Sequence, residues 1–439
     1  MSYAELMRRA AGVARWLGAR GVRAGDRVAL ALPNGIAFAI ALYGTLRAGV
    51  TVTPLNPQLT AAERARILED FRPRVIIDAV PDAEDDLPVE HTDAPALVLY
   101  TSGSTGRPKG AILSHAALTA GNRAWAGPVM ALTPDDRVLS VLPLSHSFGI
   151  NGALLAPLLA GASSVLVERF SPEATLAALR AHAVTVLPCV ATMFRRILDA
   201  PAWSAVDFKS VRMALSGAAP CPWPLAEEWR ERTGVRIHRG YGMTELFRPL
   251  SYLACDDRDF PDCIGRPVPG VEIRLVDDAG AEVPPGEVGE LLIRSDAAMD
   301  GYVNQPEETA ASFIDGWFRT GDLARVSPDG FVGIAGRKKE MILRGGYSVY
   351  PPEVEAALAA HPAVAEAAVV GVPHAALGEE VAAFVTLRAG AIANPDEIAA
   401  WCKDRVAGYK CPRIVHVVPA LPKSATGKVL KTQLAASLR

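Results

Sequence analysis

The residues best equipped for chemistry lie in one run of ten, Thr101-Ser102-Gly103-Ser104-Thr105-Gly106-Arg107-Pro108-Lys109-Gly110, directly after an apolar stretch at 96–100. Glycines let the backbone turn its N–H groups inward, the hydroxyls add donors, and Arg107 and Lys109 add positive charge. Together they can converge on an anion. A glycine-rich run of this kind can also be a plain turn. The strand-like residues before it and the lysine just after Pro108 favour a phosphate. The spacing is not G-x4-G-K-[ST], and the pair Gly427-Lys428 supplies none either, so this is not a Walker loop. Lysine placement gives a second signal. Seven of the nine lysines (Lys338, Lys339, Lys403, Lys410, Lys423, Lys428 and Lys431) fall after Gly336, in a chain that otherwise prefers arginine. A solvated surface accounts for most of them, and their clustering points to an anion handled by the C-terminal part.

The elements that must hold these residues can be read from periodicity. Leu6, Ala10, Val13, Ala14 and Leu17 recur at helical spacing, and 36–46 is a second helical run. Short apolar stretches at 28–32, 50–54, 75–77, 96–100, 138–142, 164–167, 184–187 and 213–215 read as strands between helices. Strands this rich in Val, Leu and Ala predict α/β layers covered on both faces. Beyond Gly265 the texture becomes hairpin-like, with 271–276, 290–294 and 331–335 separated by turn residues, which predicts a small β-barrel-like unit. After Gly336 helix and strand alternate again. The expected architecture is α/β: a large N-terminal domain over 1–336, a hinge at 337–340, and a small mobile α+β domain over 341–439. Only 81–93 reads as an acidic loop.

Half of the 439 residues are hydrophobic and 21% are charged, which excludes a disordered chain. A net charge of −3 gives no general case for nucleic acid or anionic membrane as partner. The six cysteines, Cys189, Cys221, Cys255, Cys263, Cys402 and Cys411, form no CxxC pair and no zinc spacing, so buried thiols are expected. The first residues have no apolar core and so form no signal peptide. No charged residue falls between Arg137 and Glu168, yet Pro143, Gly149, Gly152, Pro157 and Gly161 interrupt that stretch. It reads as strand, loop, buried helix and strand rather than a membrane span.

The decapeptide at 101–110 resembles the nucleotide-binding loop of the acyl-adenylate-forming, or AMP-binding, superfamily: acyl-CoA synthetases, adenylation domains of peptide synthetases, and luciferases. Ser2-Tyr3-Ala4-Glu5-Leu6 is similar to the family's first motif, and Leu46-Arg47-Ala48-Gly49 through Pro54 to its second. Leu142-Pro143-Leu144-Ser145-His146-Ser147-Phe148-Gly149 resembles the strand-end motif beside the acyl pocket. Gly240-Tyr241-Gly242-Met243-Thr244-Glu245 resembles the adenine and magnesium motif, and Arg319-Thr320-Gly321-Asp322-Leu323 the ribose motif. Gly336-Arg337-Lys338-Lys339-Glu340 to Glu355 is similar to the hinge and thiol-acceptor region. Pro422-Lys423-Ser424-Ala425-Thr426-Gly427-Lys428 resembles the catalytic-lysine motif. These stand in family order from residue 2 to residue 428. The stretch from Leu68 to Tyr100 is short for the family, and the chain opens on the first motif, so part of the N-terminal subdomain is expected to be trimmed, with no leader.

What the resemblance implies can be stated residue by residue. Thr101, Ser102, Gly103, Ser104, Thr105, Gly106 and Lys109 would hold the β- and γ-phosphates of ATP. Tyr241 would face the adenine, with Gly217, Ala218 and Ala219 leaving room opposite, and Gly240, Gly242 and Met243 completing the motif. Thr244 would donate to the α-phosphate, and Glu245 would be the oxygen ligand of Mg²⁺. Asp322 would accept the ribose hydroxyls and Arg337 would reach the ribose or phosphate. Lys428, with Thr244 and Glu245, would be catalytic, placing a cation between the attacking carboxylate and the α-phosphate. The small domain would then turn about Lys339 and bring Gly345 and Gly346 to line the thiol channel. His146, Phe148, Gly149, Leu215, Gly217, Gly240 and Leu246 would border the acid, although His146 can equally be a satisfied core histidine.

Family members that adenylate α-amino acids place an Asp where Gly149 stands, to pair the substrate ammonium. The resemblance therefore implies a fatty or aromatic carboxylic acid, activated to acyl-AMP and passed to a thiol. CoA leads as the acceptor, since Tyr409-Lys410-Cys411-Pro412-Arg413 resembles a segment common in acyl-CoA ligases. The phosphopantetheine arm of a carrier protein is the alternative, and a cytoplasmic location is expected. Arg248, three residues past Glu245, is an unusual charge here. It is expected to meet solvent or a structural acid, with a second carboxylate on the substrate as the other reading.

Overall fold

Ser2 accepts a hydrogen bond from Glu5 N at 3.2 Å and so starts the first helix, Tyr3–Ala19, which buries Leu6, Ala10, Val13 and Leu17. This is the face that the spacing predicts. A computed structural model describes residues 1–90, 92–102, 108–423 and 429–438. The chain divides into two units, Met1–Ile273 with Ile293–Phe318, and Arg274–Leu292 with Arg319–Arg439.

The first unit holds two sheets. One has six strands in the order Gly301–Tyr302, Pro108–Leu113, Leu97–Ser102, Thr51–Pro54, Arg27–Leu30, Val75–Ile77. The other has seven, in the order Arg266–Pro267, Phe247–Ser251, Ile237–Met243, Met213–Ser216, Val186–Cys189, Arg137–Ser140, Ser163–Leu166. Its strands from Ile237–Met243 to Ser163–Leu166 run parallel. Side-chain alternation explains why the strands read as continuous apolar runs. Leu139, Leu187, Ala214 and Ile237 enter one core with Phe194 and Trp229 of the helices Ala191–Leu198 and Trp223–Thr233. Val138, Val186, Met213 and Leu215 enter a second core on the other face, with Trp125 and Phe148.

The uncharged stretch 138–167 divides into the end of one strand, short helical turns at Ser147–Ile150, Asn151–Leu155 and Ala156–Leu159, and the strand Ser163–Leu166. Among the described residues no helix is long and apolar enough to cross a membrane. The acidic loop runs over the first helix: a Cβ on Gly12 would lie 2.1 Å from Ala83 O, and Arg15 pairs with Asp85 at 2.7 Å. His91, within that loop, lies outside the described residues.

In the second unit, Val364–His374 and Gly378–Leu387 form a long antiparallel pair, flanked by Ile414–Val417 and by the hairpin Ile342–Arg344/Tyr347–Val349. Helices Pro351–Ala359 and Pro395–Lys403 pack Val354, Leu358, Ile398 and Cys402 onto it. The hairpin-like region after Gly265 appears as a five-stranded sheet of Val271–Val276, Gly289–Ser295, Trp317–Val326, Phe313–Ile314 and Val332–Arg337. The expected burial of the thiols holds for Cys189, Cys402 and Cys411. It fails for Cys255, which is exposed, and in part for Cys221 and Cys263.

Candidate active site

The seven-stranded sheet delivers most of the predicted residues to one edge. Its register sets Leu215 beside His238 and Ser216 beside Arg239, so Gly217 and Gly240 follow side by side. After Gly217 the chain turns through Ala218, whose φ of +63° is in the left-handed region that an alanine adopts at a cost of roughly 1–2 kcal/mol. Ala218 is exposed and Ala219 half-buried. Ile237–Met243 then pairs with Phe247–Ser251 as a hairpin in which Met243 faces Phe247, leaving residues 244–246 at the tip. A Cβ on Gly242 would lie 2.2 Å from Phe247 O, so the tip closes only over a glycine. It buries Thr244 and Leu246 and leaves Tyr241 and Glu245 half-buried.

Glu245 is held from two sides. Its Oε1 accepts from the Tyr302 hydroxyl at 2.9 Å, and its carbonyl accepts from Met299 N at 2.8 Å. Burial, and then the neighbouring Glu245 carboxylate, push the Tyr302 hydroxyl above its ordinary pKa and keep it a donor. Tyr302 lies opposite Ala111 on the strand that also carries Lys109, and Lys109 Nζ sits 5.4 Å from the Tyr302 ring centre. Lys109 is ion-paired with Glu308. Across the same hairpin Thr101 faces Lys109. The predicted phosphate residues Gly103, Ser104, Thr105 and Gly106 lie outside the described residues, as does the side chain of Ser102. Sequence reasoning missed Tyr302 and Glu308; only the pairing of Gly301–Tyr302 with Ala111 and Ile112 brings them here.

Of the residues expected to border the acid, Phe148, Leu215 and Leu246 are buried, and Phe148 and Leu215 belong to one core. Gly149 carries no carboxylate, and it has no room for one: a Cβ there would lie 2.1 Å from Pro143 O. His146 caps the turn Ser147–Ile150, its Nδ1 accepting from Phe148 N at 3.3 Å, and burial lowers its pKa, so it stands as a neutral helix cap. Trp125 forms a wall that the sequence did not suggest. It packs edge-on to Phe148 at 5.5 Å and to Phe247 at 5.0 Å, in space that Gly152 leaves open.

Arg248 departs from expectation. It is buried away from solvent, and it meets no structural acid among the described residues. Its Nε donates to Ser251 Oγ at 3.1 Å and its Nη2 to His238 O at 3.1 Å. A charge two residues beyond the hairpin tip gives no hint of burial, because the space it fills is cleared by glycines on two other strand ends.

In the second unit Asp322 is buried and pairs with Arg337 at 3.0 Å, the two being opposite each other in register. Lys338 is tied to Asp278 at 2.7 Å and to Glu290 at 2.9 Å, and Glu340 to Lys431 at 3.1 Å. Lys339 between them is exposed and has no ion pair among the described residues. Gly345 and Gly346 are exposed, with φ of +58° and +84°. Lys428 lies outside the described residues. Among the described residues before and after it, Lys423 and Val429 form a bridge, and Leu430 N donates to Pro422 O at 2.8 Å.

Two family models match this chain: AMP-binding enzyme over residues 1–94 and 78–303, and AMP-binding enzyme C-terminal domain over 353–428. The chain belongs to the AMP-binding enzyme family. It is 38% identical to a feruloyl-CoA synthase of Amycolatopsis sp, covering 99% of this chain and 93% of that protein. It is 34% identical to the indoleacetate–CoA ligase of Aromatoleum aromaticum, covering 98% and 92%. Among solved structures it is similar to ATP-bound MatB from Rhodopseudomonas palustris, with a TM-score of 0.94 at 32% identity over 100% of this chain and 93% of that one. These relatives make the chain an AMP-forming acid–thiol ligase that uses ATP and CoA. Magnesium fits the donor set. Glu245 offers a hard, half-buried carboxylate oxygen of the kind such an ion prefers.

Proposed function

We propose that the chain condenses a fatty or aromatic carboxylic acid lacking an α-ammonium with CoA, through an acyl-adenylate, at the strand-end site described above. The observation that carries the choice of acid is Gly149. A buried ammonium needs a carboxylate beside it, and the backbone of Pro143 fills the place from which one would grow. Kinship with acid–CoA ligases supports CoA over a carrier-protein arm as acceptor. Free thiols at all six cysteines support a reducing, cytoplasmic setting.

In this reading Lys109 and the loop 101–106 hold the β- and γ-phosphates. Lys109 leaves Glu308 to do so, a modest exchange at a site where the carboxylate is half exposed. Glu245, oriented by Tyr302, holds Mg²⁺, and Thr244 donates to the α-phosphate. Tyr241 with Gly217–Ala219 and Gly240–Met243 accommodates the base. Asp322, pre-oriented by Arg337, takes the ribose hydroxyls. Lys428 adds the cation between the two negative reactants, so that in-line attack on the α-phosphorus can proceed. The hinge lies at 337–340: Arg337, Lys338 and Glu340 are tethered, and Lys339 is left to turn. After adenylation Gly345 and Gly346 line the path of the thiol.

An ATP–pyrophosphate exchange screen over fatty, aryl, dicarboxylic and amino acids tests this reading. Exchange with simple acids, none with α-amino acids, and thioester formation with CoA are expected. Strong exchange with an amino acid and none with simple acids would overturn it.

A further inference from the structure

Eight Asp, Glu, His and Arg side chains are buried among the described residues: Asp136, Asp207, His238, Arg239, Arg248, Glu290, Asp322 and Glu380. The carboxylates all have cations, namely Arg212, Arg180, Arg319 with Lys338, Arg337 and Arg344. Arg239 has Asp259 at 2.6 Å. His238 is held neutral, burial lowering its pKa to about 4. That leaves Arg248 as the one buried charge without an opposite charge among the described residues. Removing a cation from water without a partner costs several kcal/mol, a cost that persists only where something else is gained.

The surroundings of the guanidinium indicate what that gain is. Its carbon lies 5.5 Å from the Trp125 ring centre and 6.0 Å from that of Phe148. A Cβ on Gly240 would sit 2.2 Å from Nη2, and one on Gly217 would sit 3.2 Å from Nη1. Phe148, Gly217 and Gly240 are three of the residues expected to border the acid, so the two glycines clear the place that the guanidinium takes within the acyl pocket. Nε and Nη2 are used by Ser251 and by His238 O, whereas Nη1, on the Gly217 and Phe148 side, has no acceptor among the described residues. The other titratable group against Arg248 is His238, which brings no negative charge.

We propose that Arg248 is the specificity-determining residue of the acyl pocket and receives a second carboxylate on the acid being adenylated, so that the preferred substrate is a dicarboxylic acid of aliphatic or aryl backbone. This rests on the ligase reading above and narrows its substrate class. Burial lowers the pKa of the guanidinium to about 9, and it still carries its charge at neutral pH. A distal carboxylate would supply both the missing counter-charge and acceptors for the free N–H groups.

The test compares matched acids on the full chain with ATP and CoA. Dicarboxylates from malonate to suberate and the benzenedicarboxylates are each set beside the monoacid lacking the distal group. At least one dicarboxylate should exceed its monoacid in kcat/KM by on the order of 100-fold, mainly through KM. Arg248→Met should abolish that preference and raise the monoacid rate, and Arg248→Lys should keep part of it. Wild-type preference for every monoacid over its dicarboxylate, or an equal loss for both acids in Arg248→Met, would overturn the assignment. If Arg248→Met does not fold, the wild-type ratios and Arg248→Lys decide. If no acid supports exchange, the ligase reading fails. The assignment is then judged by thermal unfolding with dicarboxylate alone: protection in the wild type that weakens in Arg248→Lys is expected, and no protection by any dicarboxylate overturns it.

Discussion

Tyr302 donates its hydroxyl to Glu245 Oε1 at 2.9 Å while Lys109 stands 5.4 Å from the centre of the same ring. One side chain thus lies between the carboxylate assigned to magnesium and the lysine assigned to the phosphates. Groups that orient a metal ligand typically contribute about 10–100-fold in metal affinity. Tyr302→Phe should therefore raise the Mg²⁺ concentration for half-maximal activity by roughly 10-fold, with the KM for the acid unchanged. An unaltered Mg²⁺ titration would show that the hydrogen bond does not orient Glu245.

Gly149 gives a second prediction. Introducing Asp there cannot convert the enzyme to amino acids, because the new Cβ would meet Pro143 O at 2.1 Å. Gly149→Asp should lose about 3 kcal/mol or more of stability through overpacking and a buried charge. Urea unfolding measures the loss and pyrophosphate exchange the specificity. A stable variant that activates an α-amino acid would refute the steric account.

At Gly346 conformation and bulk can be separated. Its φ is +84°, and a Cβ would meet nothing within 4 Å. Gly346→Ala should cost about 1 kcal/mol of stability and leave both half-reactions near wild-type rates. Gly346→Trp should block thioester formation while sparing acyl-AMP formation, because its bulk enters the thiol path. Equal loss of both half-reactions in the Trp variant alone would place Gly346 outside that path.

Asp136, just before the strand Arg137–Ser140, should contribute to acid sensitivity. It accepts from Arg212 Nε and Nη2 at 2.8 and 2.9 Å, from Thr185 Oγ1 at 2.6 Å and from Thr133 N at 2.9 Å. Burial raises its pKa, but these hydrogen bonds outweigh burial and hold it at about 2, below the ordinary 3.8. The stabilisation is therefore complete above the ordinary value and lost as pH falls towards 2. Asp136→Asn should cost about 2 kcal/mol at neutral pH, with the gap to wild type narrowing as pH falls below 4. Urea midpoints across that range measure it, and a pH-independent gap would contradict the assignment.

Much of this could be read from local pattern, because local pattern determines it. The spacing of Leu6, Ala10, Val13 and Leu17 is a helix face, and 213–215 is a strand whose alternate residues enter two cores. The ordered motifs carried the residues proposed to hold the nucleotide. What escaped depends on pairings remote in sequence. Tyr302 reaches Glu245 because a two-residue strand pairs with Ala111 and Ile112. Arg248 is buried because Gly217 and Gly240, on neighbouring strands, leave room for it.

In the proposed mechanism one site adenylates the acid with the help of Lys428 and then yields it to CoA without that lysine. Single-turnover measurement of the two half-reactions in Lys428→Ala tests it most directly. Removing a preorganised donor to developing charge costs on the order of 10²–10³ in rate, and a full positive charge can cost more, so acyl-AMP formation should fall at least that far. The same variant given synthetic acyl-AMP and CoA should form thioester at near the wild-type rate. A parallel fall in both half-reactions would contradict the account, since Lys428 would then serve both steps or the fold itself.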